Sequence, residues 1–252
     1  MLTSGFMHTA IFRFYADLND LLSQQRRQTG FAYTFNNDQT VKHLIESAGV
    51  PHPEIELILV NGEPVDFSYL VQDGDHVSVY PMMTMLPVPE NGRLRPPIPS
   101  PVRFIIDIHL GQLARYLRLL GFDTVYPDHN HDDADLAQIA HDENRILLTR
   151  DRGLLKRSLV THGYIIRTKN PEEQLTAVLH RYHLFDDILN TPRCLRCNGQ
   201  LKPVAKEAII DRLEPKTKLY YDTFHVCIDC QQIYWQGSHY PKIREFIDSI
   251  QQ

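Results

Sequence analysis

No stretch of this 252-residue chain approaches the roughly eighteen consecutive apolar residues that a membrane-crossing helix requires, so no membrane span is expected. The first residues, MLTSGFMHTA, lack a basic segment followed by an apolar core. No secretory signal is read there, and the expected location is cytoplasmic. Bulk positive charge is missing too. The 26 Lys and Arg face 31 Asp and Glu for a net of −5, which excludes binding to nucleic acid by overall charge alone. Cysteine is scarce: four residues, all between Cys194 and Cys230. That count, paired as it is, points to a reducing compartment and a metal site rather than a disulfide framework. There is no internal repeat, and the strand–helix region after residue 101 has neither a glycine-rich phosphate loop nor a serine or cysteine nucleophile motif.

What is present is an ordinary globular mixture, 42% hydrophobic and 23% charged, enough to close a core without staples. LPVPENGRLRPPIPSP, residues 86–101, holds six prolines and reads as a semi-rigid linker. It divides the chain into residues 1–85, the linker 86–101, residues 102–190 and residues 191–252. Acidity is concentrated in the first part, which carries a net of −6.

Residues 1–85 alternate as strands over Ala10–Tyr15 and Phe31–Phe35. Val41, Leu44, Ile45 and Ala48 then follow at helical spacing and stop at Gly49. Strands over Glu56–Val60 and Val77–Tyr80 come next, with Asn61-Gly62 and Gly74-Asp75 as turns. Strand, strand, helix, strand, strand is the order of a small β-grasp domain. LILVNGEPVDFSYLVQDGDHVSVYPM resembles the carboxyl half of ubiquitin-like sulfur carrier proteins. Those carriers work through a terminal Gly-Gly. Here Pro81-Met82-Met83 stands in its place, so a protein-docking role is expected instead of sulfur transfer. A domain that only packs is the other reading.

Residues 102–190 alternate strand and helix: Arg103–Ile106, Leu110–Leu120, Asp123–Tyr126, Asp133–Glu143, Arg145–Thr149, Tyr164–Arg167 and a helix opened by Asn170-Pro171-Glu172-Glu173. This order implies a parallel α/β sheet with right-handed crossovers. Ligands of such sheets bind beyond the carboxyl ends of the strands. Asp107 ends the first strand, Asp151 follows the third, and Asp132, Asp133 and Asp135 open the second helix. Carboxylates that converge repel one another and call for hard cations, Mg²⁺ or Mn²⁺, which suit phosphodiester hydrolysis. Arg115 and Arg118 on the outer face of their helix, with Arg150, Arg152, Lys156 and Arg157, are candidates to hold phosphates, or are ordinary surface charge. Bland readings stand beside these. Asp132 or Asp133 suits a helix cap, Asp151 suits a turn cap, and Asp107 suits an ion pair with Arg115 or Arg150. His129 and His131 suit a solvated loop or metal ligation.

Residues 191–252 hold two knuckles, Cys194-Leu195-Arg196-Cys197 and Cys227-Ile228-Asp229-Cys230. Four thiolates in two such hairpins make a tetrahedral zinc site. Lys202–Val226 reads as β-rich. Trp235, Tyr234 and Tyr240, beside Lys242 and Arg244, suit stacking on bases or packing inward.

FIIDIHLGQLARYLRLLGFDT, DDADLAQIA and RILLTRDRGLLKR resemble the PIN-like ribonuclease domain named from the carboxyl-terminal region of mut-seven exonucleases, over about residues 102–240. Members with a ubiquitin-like domain in front and a zinc ribbon behind are known, so the resemblance spans nearly the whole chain. It implies a PIN-like parallel-sheet nuclease. Asp107 and Asp151 match the family's metal-binding acids, and Asp133 fits the middle position, with Asp135 and Asp132 as substitutes. His109 departs from the hydrophobic residue expected there. The reading that follows is a Mg²⁺- or Mn²⁺-dependent ribonuclease. Asp107, Asp133, Asp135 and Asp151 are its catalytic acids, Arg115, Arg150, Arg152 and Lys156 contact RNA, and Cys194, Cys197, Cys227 and Cys230 hold structural zinc. The β-grasp domain binds a protein partner. The alternative is a non-catalytic RNA-binding or ribosome-associated adaptor.

Overall fold

The structure is a computed structural model that describes residues 7–36, 38–82, 92–127, 131–189, 191–235 and 245. In chain order the first elements are β1 (His8–Phe14), β2 (Phe31–Phe35), α1 (Val41–Ser47), β3 (Ile55–Val60), β4 (Glu63–Pro64) and β5 (His76–Pro81). β6 (Arg103–Ile106), α2 (Gly111–Leu119), β7 (Asp123–Val125), α3 (Asp133–Asp142), β8 (Ile146–Thr149), α4 (Arg152–Leu155), β9 (Gly163–Ile165) and α5 (Pro171–Tyr182) follow. The last are β10 (Leu201–Val204), α6 (Pro215–Tyr220), β11 (Phe224–Cys227) and β12 (Ile233–Trp235). They fall into two compact units, Met1–Pro101 with His129–Ile166, and Val102–Asp128 with Arg167–Gln252.

In the first unit, β1 to β5 form a mixed sheet in the order β2-β1-β5-β3-β4, with β1 parallel to β5. This is the expected β-grasp order with one addition, the two-residue β4 closing a hairpin on β3. Its turn works because Asn61 and Gly62 both take positive φ, 52° and 93°, matching strand twist. Alternation in β1 buries Ala10, Phe12 and Phe14, and Val41, Leu44 and Ile45 of α1 are buried as well. Thr40 caps α1 by accepting the His43 N–H at 3.3 Å, and Gly49 ends it at φ 109°. The short 3-10 turns Ala16–Leu21, Gln24–Arg26 and His52–Glu54 carry no periodicity and were not legible in the sequence. β5 carries its strand to Pro81. Met83 and residues 84–91 lie outside the described residues. From the linker, Arg95 donates to the carbonyls of Pro53 (2.8 Å) and Ile55 (2.6 Å) and to the Glu56 carboxylate (2.7 Å).

The same unit contains the parallel pair β8–β9, with Thr149 opposite Ile165, and the helices α3 and α4. β8 is buried at all four positions and apolar at the first three, Ile146, Leu147 and Leu148, as parallel strands covered on both faces are.

The second unit contains the parallel pair β6–β7, with Phe104 opposite Thr124, packed by α2 and α5. The expected stripes are buried: Leu113, Ala114 and Leu117 of α2, and Leu175, Val178, Leu179 and Tyr182 of α5. Arg118 is a correction. It is 4% exposed, not outward-facing, and its guanidinium donates to the carbonyls of Thr124 (2.9 Å) and Leu195 (3.0 Å). The long stem lets the charged head cross the helix end to reach carbonyls that have no strand partner there. β10, β11 and β12 form an antiparallel sheet. The segment between β10 and β11 is not β-rich as expected. It forms a 3-10 turn over Lys206–Arg212 and then α6, because Pro215 sits at a first helical position and Ile209 and Leu213 pack into a small core with Phe224, Val226 and Ile233.

Candidate active site and four-cysteine centre

β6 is wholly apolar after Arg103, and the first polar side chain beyond it is Asp107, 7% exposed. It caps a 3-10 turn over Ile108–Leu110, accepting the His109 N–H at 3.3 Å. His109, the departure from the family pattern, is exposed. The Tyr126 hydroxyl donates to the Ile108 carbonyl at 2.7 Å and lies over Gly111. A Cβ at Gly111 would come within 2.9 Å of that hydroxyl, so glycine here keeps the turn after Asp107 in place. A cleft of about 770 Å³ opens beside it, lined by Gln112, Arg115, Tyr126, Arg196 and Gln232 among others.

In the first unit, Asp132 accepts the N–H groups of Ala134 (2.7 Å) and Asp135 (3.0 Å), and Asp135 accepts the Asp132 N–H at 3.1 Å. This is a full capping box. The amides of Asp135 and Ala134 hold the Asp132 carboxyl below its usual range, with a smaller pull from Arg157. Asp133, the first helical residue, is half-buried and takes no part in the box. Asp151 caps α4, its Oδ1 accepting Gly153 N–H at 2.6 Å and Leu154 N–H at 3.4 Å, and the cap does not use Oδ2. The cap readings of Asp132 and Asp151 are therefore what the structure contains. They leave Asp133 and the second oxygen of Asp151 for other partners.

The four basic residues expected at phosphates differ. Arg115 and Arg150 are exposed. Arg152 donates to the Leu21 carbonyl at 2.8 Å, and Lys156 donates to the Glu46 carbonyl at 2.5 Å, so both are engaged with the β-grasp domain. His129, Tyr240, Lys242 and Arg244 lie outside the described residues. Sequence reasoning missed His52 and Glu54 altogether, because Pro-His-Pro-Glu reads only as a loop. His52 bonds the Val160 carbonyl through Nε2 (2.9 Å) and Glu46 through Nδ1 (2.8 Å). Glu54, with no exposed surface, accepts the Ile165 N–H at 2.6 Å.

In the second unit the sulfurs of Cys194, Cys197, Cys227 and Cys230 all lie within 4.8 Å of one another. Cys194–Cys230 and Cys197–Cys227 are separated by 3.5 and 3.4 Å. Those spacings are far beyond the roughly 2.05 Å of a disulfide. They are close to the roughly 3.8 Å that Zn–S bonds of about 2.3 Å give at tetrahedral angles. The donor set fits a metal ion such as zinc. The Tyr234 hydroxyl accepts the Leu195 N–H (3.0 Å) and points at the Cys194 sulfur (3.1 Å), so the hydroxyl serves the knuckle. Burial pushes the Cys194 thiol up, but Tyr234 and the amides of Cys197 and Arg196 outweigh it and bring the thiol to about 6. Burial and the neighbouring thiols push Cys197 up to about 12. Sulfurs this crowded cannot all ionise unless a cation joins them. The knuckle is bolted to its own unit: Asn198 accepts the Thr124 N–H (3.0 Å) and donates to Asp123 (2.8 Å), while Arg193 N–H bonds the Arg118 carbonyl (2.8 Å).

Comparison with known families decides the relationship. The Mut7-C RNAse domain matches residues 102–247, more than half of the chain. The chain belongs to this family. Residues 7–86 match the Mut7-C ubiquitin domain, so the β-grasp part is the family's ubiquitin-like module. No curated protein and no solved structure matches the chain. Membership makes the protein nuclease-like and RNA-related, and no described helix is long and apolar enough to cross a membrane.

Proposed function

We propose that this Mut7-C protein is a cytoplasmic, metal-dependent ribonuclease. Asp107, Asp133, Asp135 and Asp151 would supply the carboxylates for Mg²⁺ or Mn²⁺. The observation that carries the reading is the Mut7-C RNAse match over residues 102–247, a span that contains every one of these acids. Hard carboxylate oxygens suit these ions, and such an ion, when bound, supplies an activated water and stabilises the leaving oxygen of a phosphodiester. The rest is the chain's own work. The cap on Asp151 holds one oxygen and leaves the other outside the cap, and Tyr126 braces the turn that follows Asp107. Exposed Arg115 and Arg150 hold the RNA backbone by charge-assisted bonds. The four cysteines take zinc and brace α2 through Arg118.

The test is cleavage of labelled RNA by the purified chain with Mn²⁺. Asp107→Asn with Asp151→Asn is expected to lower the rate on the order of 100-fold or more, as loss of metal ligands does. Cleavage surviving both substitutions overturns the proposal. A chelator alone does not discriminate, since it also strips the cysteine centre. The second reading, a non-catalytic RNA-binding or ribosome-associated adaptor, draws support from the caps, which give Asp132 and Asp151 a structural use. It predicts RNA binding without cleavage.

A further inference from the structure

We infer that the ubiquitin-like domain is a built-in positioning element for Asp151. The inference rests on the ribonuclease reading only for what Asp151 does, not for how it is held. α4 has four residues, too few to be stable as an isolated helix, so contacts from elsewhere must set its geometry. Leu154 and Leu155 anchor its inner side. Its outer side is tied to the ubiquitin-like domain by Arg152 to the Leu21 carbonyl and Lys156 to the Glu46 carbonyl. Gly49, at φ 109°, packs closely on the first tie: a Cβ there would lie 3.3 Å from the Leu21 carbonyl and 3.4 Å from the Arg152 guanidinium.

The second approach runs through the strands. Buried Glu54 holds the Ile165 N–H at 2.6 Å. The next residue, Ile166, donates to the Thr149 carbonyl at 2.8 Å, and the Thr149 hydroxyl accepts the Asp151 N–H at 2.9 Å. Between these two ties, His52 grips the Val160 carbonyl at 2.9 Å while its other nitrogen meets Glu46. Both ring nitrogens thus face acceptors, and the ring is fixed in plane and tilt. Asp151 is therefore clamped on its amide side by the Glu54–Ile165–Thr149 relay and on its helix side by Arg152 and Lys156. Leu21, Glu46, His52 and Glu54 act through this segment and are positioning residues.

The experiment uses the full chain carrying Arg152→Met and Lys156→Met, which keep the apolar stems and remove the donors. Hydrogen exchange at the amides of Asp151, Gly153 and Leu154 is expected to quicken. The Mn²⁺ concentration giving half-maximal RNA cleavage is expected to rise roughly tenfold, as loss of supporting contacts behind metal ligands does. KM for RNA and its salt dependence stay as in the parent chain, and Lys156→Arg in place of Lys156→Met restores the protection from exchange lost at that position. Unchanged exchange at these amides overturns the inference. So does a raised KM with a shallower salt slope, which would assign both side chains to phosphate instead. If exchange quickens but the parent chain cleaves no RNA, the clamp stands and the ribonuclease reading falls.

Discussion

His162 gives the first unit a pH signature. It is buried, and burial together with the Arg95 cation drives its pKa from 6.5 down to about 4 against a weaker upward pull from Glu56. The unfolded chain therefore binds this proton between pH 6.5 and 4 while the native state does not. Stability from this group is present above pH 6.5 and is lost as pH falls toward 4. Urea midpoints measured from pH 7 to 5 are expected to fall, and His162→Gln is expected to flatten that slope. Arg118 sets a second expectation. Arg118→Ala orphans buried carbonyls at Thr124 and Leu195 and should destabilise the second unit by about 2–4 kcal/mol in denaturant titrations. At this scale legibility was uneven. The cysteines were plain because the spacing of two knuckles admits few other uses. The acids were ambiguous because an aspartate at a helix start serves a cap and a cation equally well. Arg118 was misplaced because helical periodicity locates a Cα, not the end of a six-bond side chain.

Elements separate cap from chemistry. Asp132→Ala removes the capping box of α3 and should cost about 1 kcal/mol in thermal or urea unfolding while leaving metal-dependent cleavage at parental levels. Asp133→Asn should do the reverse, with little change in stability and a large loss of cleavage. Gly199 offers a test in the knuckle. A Cβ there would lie 2.8 Å from the Cys227 sulfur and collide with the Asp229 carboxylate, so Gly199→Ala should weaken metal retention, read by metal content after dialysis. Most strands and helices were legible because their buried stripes repeat at 2 or 3.6 residues. α6 and the 3-10 turns were not. They are too short for a period, and what holds them, such as the packing of Ile209 and Leu213 on Phe224, is tertiary.

For the molecule as a whole, the three-part order was legible from the proline linker and the cysteine spacing, but the intimacy of the first and second parts was not. Buried His52 and Glu54 leave no signal in hydropathy, since the main-chain groups they hold, at Val160 and Ile165, lie more than 100 residues away. The third part has its own reporter. Trp235, the sole tryptophan of the chain, lies against Tyr221 and Phe224 beside the cysteine centre. Stripping the metal is expected to shift its emission to the red and to lower the melting temperature, both reversed by added zinc. The clamp on α4 also bears on how such chains diverge. Leu21 and Glu46 contribute carbonyl oxygens there, which any amino acid supplies. Neither tie reads the side chain of its acceptor, so a change at Leu21 or Glu46 needs no matching change at Arg152 or Lys156, while the Glu46 carboxylate keeps its separate hold on His52.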